Sequence, residues 1–133
     1  MNFVEKTKNE TKKNVVIDFD GVIHKSSKGF HDGTIYDDPV DGAIESIKFL
    51  SQYFNLIIFT CKGRPERPLI NGKTGIELIW EWLRKYDLDQ YIQDVTAIKP
   101  RALLYIDDKG YRFNNWKDTL SFIEELNNGL YKL

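Results

Sequence analysis

Reactive side chains stand at the ends of short apolar runs in this sequence. The stretch VVIDFDGVIH (residues 15–24) closes its apolar run with two aspartates spaced i, i+2. Such aspartates are either ordinary turn residues or groups placed to do chemistry. Other polar residues follow later apolar runs in the same way. The residues concerned are Asp18, Asp20, Thr60, Lys99, Asp107 and Asp108.

If these side chains meet, their chemistry points to a phosphate ester. Crowded carboxylates repel one another unless a cation lies among them, and their hard oxygen ligands suit Mg²⁺. A lysine and a threonine hydroxyl contribute little to a metal site but suit a bound phosphate. A carboxylate can then attack phosphorus to form an aspartyl-phosphate. A second carboxylate two residues on can protonate the leaving oxygen and later deprotonate the attacking water.

The elements between these residues predict that they do meet. Apolar residues recur at helical spacing after Asp41, which we expect to cap a first helix, and again over residues 75–86. Asn115 is the expected N-cap of a third helix, with Gly129 as its stop. Strands and helices in alternation predict an α/β fold with a mainly parallel sheet, in which ligands lie beyond the carboxyl ends of the strands. The predicted strands are residues 14–19, 55–60, 94–98 and 102–106.

The same residues, in the same order, resemble the four motifs of the haloacid dehalogenase (HAD) superfamily. The matching segments are DFDGV, the threonine ending LIIFT, the lysine of IKP and the acid pair of YIDD, within about residues 14–126. The resemblance implies that Asp18 is the nucleophile and Asp20 the general acid/base. It implies that Thr60 and Lys99 bind and neutralise the phosphoryl group. The implied Mg²⁺ ligands are Asp18, Asp20 through its backbone carbonyl, and Asp108 directly, with Asp107 acting through water or from just outside the direct ligands.

The resemblance also implies a three-layer, doubly wound, Rossmann-like (HAD-like) fold. Only residues 22–37 separate the catalytic loop from the first predicted helix, so we expect a short flap and no cap domain. Residues 1–13 are expected to be a flexible polar arm and residues 14–133 a single catalytic domain. An open site of this kind admits a small phosphomonoester or a nucleic-acid end. It could also be covered by a second copy of the chain in a homo-oligomer.

The loop CKGRPER raises a competing mechanism. Cys61 and Arg67 fit Cys-x5-Arg, the phosphate loop of cysteine-based phosphatases. Pro65 removes one of the backbone donors on which that loop depends, which disfavours the mechanism. We expect instead that the Cys61 N–H helps to hold the phosphate and that Lys62 or Arg64 reaches over the opening.

Two functions remain as alternatives to a general phosphatase. Lys62, Arg64 and Arg67 would form a basic rim suited to a nucleotide or polynucleotide 3′-phosphatase. A HAD-fold protein can also keep these residues and serve only in binding or regulation. The sequence leaves this choice open.

Aromatic residues and histidines outside the motifs favour ordinary structural roles. His24 and His31 lie in the flap, where a surface position is expected. At helical spacing, Trp80 is predicted to belong to the core and Trp82 to be partly exposed.

Composition limits the class of protein. The chain has 133 residues, enough for one domain, and a formal net charge of −1, which provides no overall basic field for nucleic acid or membranes. Its apolar runs are too short to span a bilayer, and its N-terminal stretch lacks the apolar core of a signal peptide. The single cysteine excludes an internal disulfide and fits a reducing compartment. We therefore expect a cytoplasmic protein without membrane partners.

Overall fold

The computed structural model describes residues 12–107 and 110–128. Within these ranges the chain forms five β-strands and three α-helices. The strands are β1 (Lys13–Ile17), β2 (Phe54–Phe59), β3 (Asp94–Thr96), β4 (Leu104–Asp107) and β5 (Tyr111–Arg112). The helices are α1 (Ala43–Leu50), α2 (Gly75–Lys85) and α3 (Trp116–Asn127). The predicted α/β class is confirmed. Most of the predicted arm lies outside the described residues.

The described strands form one parallel sheet with the order β3-β2-β1-β4-β5. β1 is central: Val16 lies opposite Ile57 of β2 on one side and Tyr105 of β4 on the other. The chain moves outward from β1 to β3 and then returns to the opposite side of β1. This reversal between β1 and β4 is the place where open parallel sheets bind ligands.

The central strand is buried on both of its faces. Val15, Val16 and Ile17 are all buried, although successive residues of a strand point to opposite faces. Continuous apolar runs of this kind are typical of parallel strands that are covered on both sides. The burial of β1 fixes the position of the residues that follow it.

The helix starts follow the predictions in part. Asn115 caps α3 by accepting a hydrogen bond from the Asp118 N–H, as predicted, while Gly129 lies outside the described residues. The predicted cap of α1 is wrong by one residue, because the N-cap is Gly42 and not Asp41. Gly42 has a φ of 84°, a conformation that glycine adopts without strain.

The apolar face of α2 differs from the predicted one. Trp82 is buried and Trp80 only partly buried, the reverse of the expectation. The Trp82 indole N–H donates to the backbone oxygen of Asp37, in the flap. The flap therefore packs on the side of α2 that carries Trp82, a long-range contact that helical spacing alone does not reveal.

No helix in the described part of the chain combines the length and apolar character that crossing a bilayer requires.

Candidate active site

Five of the predicted site residues line one cavity at the carboxyl edge of the sheet. Asp18, Thr60, Lys99 and Asp107 follow or end β1, β2, β3 and β4, and all four border a space of about 390 Å³. Cys61 lines the same cavity. They meet because the carboxyl ends of neighbouring parallel strands lie at one edge of the sheet.

A second cavity, of about 270 Å³, adjoins the first. Asp18 and Asp107 line both, and Asp20 and Arg112 line the second alone. Arg112 belongs to β5, a strand that the sequence did not predict. Arg112 therefore lines the cavity beside Asp18 and Asp107, although it was not among the predicted site residues.

The backbone holds Asp18 at the junction of β1 and β4. Its N–H donates to the backbone oxygen of Ile106 at 3.1 Å, which continues the β1–β4 ladder by one residue. Its Oδ1 accepts a hydrogen bond of 2.8 Å from the Phe19 N–H. The Asp18 carboxylate is therefore placed by regular sheet geometry and by a local backbone bond.

Thr60 is the buried N-cap of a short 3₁₀ turn, Cys61–Gly63. Its N–H donates to the backbone oxygen of Thr96 in β3, and its Oγ1 accepts from the Lys62 N–H at 3.2 Å. Because the hydroxyl oxygen is used as an acceptor, the hydroxyl proton can be donated to a ligand.

His24 is a buried partner of Asp20, so the expectation of a surface histidine is wrong. Its side chain is 0 % exposed, and its Nδ1 lies 2.9 Å from Asp20 Oδ1. Its Nε2 accepts a hydrogen bond from the Asp37 N–H at 3.0 Å. These contacts show that His24 is the neutral tautomer that carries its proton on Nδ1. From Nδ1 it donates a hydrogen bond to Asp20.

An aromatic cluster surrounds the His24 ring. The ring stacks on Phe19, with centroids 5.4 Å apart, and meets Tyr36 and Trp82 edge to face. The sequence offered one signal, the i, i+4 spacing of Asp20 and His24, but not the packing of the flap that buries the ring.

Lys62 forms an ion pair with Asp20 and does not extend over an open site. Its side chain is 6 % exposed, and Nζ lies 3.2 Å from Asp20 Oδ2 without an aligned hydrogen bond. Apart from Asp20, no acceptor for Nζ is found within the described residues. Lys62 is therefore a buried cation with unused N–H groups.

These neighbours control the charge of Asp20. Burial raises its pKa, but the His24 hydrogen bond and the Lys62 charge outweigh that effect and lower the pKa below its ordinary value. Asp20 is accordingly ionised at neutral pH. An ionised carboxylate is ready to accept a proton from water, whereas donation to a leaving group requires that it first gain one.

Lys99 and Asp107 lie at the rim of the first cavity. Lys99 is exposed, and its Nζ lies 4.5 Å from the centroid of the Tyr105 ring. Asp107 Oδ1 accepts a hydrogen bond of 2.7 Å from the Gly110 N–H. Asp108, the expected direct metal ligand, lies outside the described residues.

The donor chemistry of this edge fits Mg²⁺. Asp18 and Asp107 border the same two cavities, and carboxylate oxygens are the protein ligands that Mg²⁺ prefers. Within residues 12–107 and 110–128, no three His, Cys, Asp or Glu side chains form a metal-binding group by themselves. The hypothesis of a magnesium site therefore rests on the shared cavities.

The arginines of the loop after β2 do not gather around Cys61. Arg64 is exposed, at the end of the 3₁₀ turn. The Arg67 guanidinium carbon lies 5.4 Å from the centroid of Phe30 and borders a different cavity from Cys61. This separation removes support from the cysteine-based mechanism.

Comparison of this chain with protein-family models, with curated proteins and with solved structures finds no match.

Proposed function

We propose that this protein is a Mg²⁺-dependent phosphomonoester hydrolase of the capless HAD type, which acts through an aspartyl-phosphate on Asp18. The observation that carries the proposal is the common cavity of Asp18, Thr60, Lys99 and Asp107, beside Asp20. A carboxylate nucleophile, a hydroxyl donor and a cation around one space are the groups that phosphoryl transfer requires.

The proposed reaction has two displacements at phosphorus. An Asp18 carboxylate oxygen attacks the phosphorus, its O–P bond forms, and the bond to the leaving alcohol oxygen breaks. Thr60 donates its hydroxyl proton to a phosphoryl oxygen, and Lys99 offsets the negative charge. The leaving oxygen takes a proton, which Asp20 supplies when its carboxyl group is protonated.

The second displacement regenerates Asp18. Asp20 accepts a proton from a water molecule, whose oxygen attacks the phosphorus, and the bond from phosphorus to Asp18 breaks to release inorganic phosphate. Asp20 then holds the proton that the next leaving group can take. Asp18 and Asp107 are the described residues suited to hold Mg²⁺, with Asp108 and the Asp20 carbonyl completing the proposed set. The ion would supply charge neutralisation at the phosphoryl oxygens.

The finer fold proposal is a three-layer, doubly wound HAD arrangement. The strand order and the burial of both faces of β1 support it. The flap supports the proposed absence of a cap, because it contains only turns and single bridges within the described residues.

The test is release of phosphate from a generic phosphomonoester. We expect Asp18→Asn to lower kcat by at least about a thousandfold, because the amide is not a nucleophile. We expect a chelator to abolish turnover and added Mg²⁺ to restore it. Cys61→Ser, a matched change at the neighbouring strand end, should retain most of the rate.

Two outcomes would overturn this mechanism. Loss of activity with Cys61→Ser but not with Asp18→Asn would show that the nucleophile is the Cys61 thiolate. Absence of hydrolysis across a broad panel of phosphate esters, combined with metal binding by titration, would favour the binding or regulatory function.

A further inference from the structure

A third cavity, of about 230 Å³, lies next to Lys62. It is lined by Phe30, Asp32, Lys62, Arg67, Pro68 and Ile70 among others, and we name it the Phe30 cavity. An engineered protein cavity of about 150 Å³ accommodates benzene, so this space has room for a single ring with a small substituent. Its size and apolar walls favour a small, partly apolar group.

Two cations border the Phe30 ring. Lys62 Nζ lies 5.1 Å and the Arg67 guanidinium carbon 5.4 Å from its centroid. Phe30 is itself 56 % exposed, so a large part of its apolar side chain is accessible to a ligand. The ring and the cations together offer an apolar face and positive charge at one place.

Lys62 supplies the evidence that an anion belongs here. Its side chain is more than nine-tenths buried, and apart from Asp20 Oδ2, which lies 3.2 Å away, Nζ has no acceptor within the described residues. A buried ammonium group with a single counter-charge gains from a second negative charge nearby, and an anionic group in the cavity would supply that charge. Helix α2 begins at Gly75, which also lines the cavity, so the positive end of its backbone dipole borders the same space.

The Phe30 cavity also contains one carboxylate. Asp32 Oδ1 accepts hydrogen bonds from the side chain and the backbone N–H of Thr34, and these bonds lower the pKa of Asp32. Asp32 and Arg67 thus bring one charge of each sign to the cavity, and Asp20 offsets part of the charge of Lys62. A ligand with one negative charge therefore matches the cavity better than a highly charged one.

We propose that the Phe30 cavity binds the leaving group of the substrate, and that this group is a small ring bearing a single carboxylate or similar anionic charge. The proposal rests on the proposed phosphatase function. Lys62 links the Phe30 cavity to the proposed reaction. It lines the cavity, and its Nζ contacts Asp20, the residue proposed to exchange a proton with the leaving oxygen.

The first test compares two esters of equal shape. 4-Carboxyphenyl phosphate carries the anionic charge, whereas 4-carbamoylphenyl phosphate has a neutral, electron-withdrawing group of similar size. We expect kcat/KM to be about tenfold higher for the carboxylate, the effect of one charge-assisted hydrogen bond. Arg67→Ala and Arg67→Gln should each reduce that preference to about twofold or less.

A matched control uses an arginine that is distant from the cavity. Arg84 is exposed in the last turn of α2, so Arg84→Ala removes the same charge without touching the cavity. The carboxylate preference should survive in this variant. If Arg84→Ala lowers it as much as Arg67→Ala does, the preference reflects the overall charge of the protein, and the proposal is wrong.

The second test measures binding without turnover. Calorimetry on the Asp18→Asn protein should show 4-hydroxybenzoate binding about tenfold more tightly than 4-hydroxybenzamide, with the difference removed by Arg67→Ala. This measurement separates the two proposals. Arg67-dependent binding without hydrolysis of any ester would leave the cavity assigned and reject the phosphatase. If the protein hydrolyses both esters with equal kcat/KM and binds 4-hydroxybenzoate and 4-hydroxybenzamide equally, the proposed role of the cavity is wrong.

Discussion

At the scale of single residues, the ionisation of Asp20 depends on two buried neighbours. Its side chain is 32 % exposed, while those of His24 and Lys62 are almost entirely enclosed. His24 donates a hydrogen bond to Asp20, and Lys62 is the cation whose charge Asp20 offsets. The carboxylate is therefore both a proposed catalytic group and the counter-charge of a buried lysine.

Asp20→Asn should lower stability at neutral pH, because it leaves Lys62 buried without its counter-charge. We expect a loss of about 1–3 kcal/mol in urea unfolding. The folded-state pKa of Asp20 is lowered from 3.8, so its contribution is fully present above pH 3.8 and is lost as the pH falls through the lower folded value. The difference between the two proteins should therefore shrink on acidification. Asp41→Asn, at an exposed aspartate, is the control.

The role of His24 can be tested with Asn and Gln, whose side-chain amides each imitate one of the two ring nitrogens. Asn places a polar atom near the Nδ1 position and can donate to Asp20, whereas Gln reaches toward the Nε2 position and can accept from the Asp37 N–H. We expect His24→Asn to retain more of the wild-type kcat than His24→Gln. In His24→Gln the pKa of Asp20 should rise, because its hydrogen bond from His24 is lost. The acidic side of the kcat/KM pH profile should then shift to higher pH. If the two variants have the same kcat and the same pH profile, the role of His24 is purely structural.

At the scale of secondary-structure elements, the start of α2 is packed directly against the 3₁₀ turn after β2. A Cβ on Gly75 would overlap the backbone carbonyl of Lys62. Helix α2 also has a complete capping box between Thr74 and Glu77, which fixes where it begins. The close approach of these two backbones positions Lys62 between Asp20 and the Phe30 cavity.

Gly75→Ala should therefore be destabilising, although alanine is the better helix former by about 1 kcal/mol. The expected loss is about 1–3 kcal/mol, the usual cost of overpacking, measured by urea unfolding. Gly29→Ala is the comparison, because a Cβ there meets open space and the cost arises only from its φ of 65°. A Gly75→Ala protein more stable than wild type would contradict the close approach.

The parts of the site that could be predicted from the sequence are those that regular β-strands position. Asp18, Thr60, Lys99 and Asp107 could be placed together because each follows or ends a strand, and parallel strands align their carboxyl ends. The roles of His24 and Lys62 could not be predicted, since they depend on how the flap and α2 pack on the loop after β1. The face of α2 was misassigned for the same reason, because Trp82 is buried by the flap.

At the scale of the whole molecule, the α/β class with a mainly parallel sheet was predicted, whereas strand β5 and the substrate surface were not. Apolar runs alternating with helical periodicity were sufficient to predict the α/β sheet. The Phe30 cavity combines Phe30 and Asp32 of the flap with Arg67 and Ile70 of the segment before α2. Neither segment has a hydrophobic period, so no local pattern indicated that they would face each other.

The central position of β1 also sets the order in which the site can be assembled during synthesis. Val16 pairs with Ile57 of β2 soon after both have been made, which brings Thr60 toward Asp18 early. Its other partner, Tyr105 of β4, is made much later, and Asp107 arrives with it. A nascent chain that has not yet extended to β4 exposes one edge of β1, and an edge of that kind is open to pairing with the wrong strand.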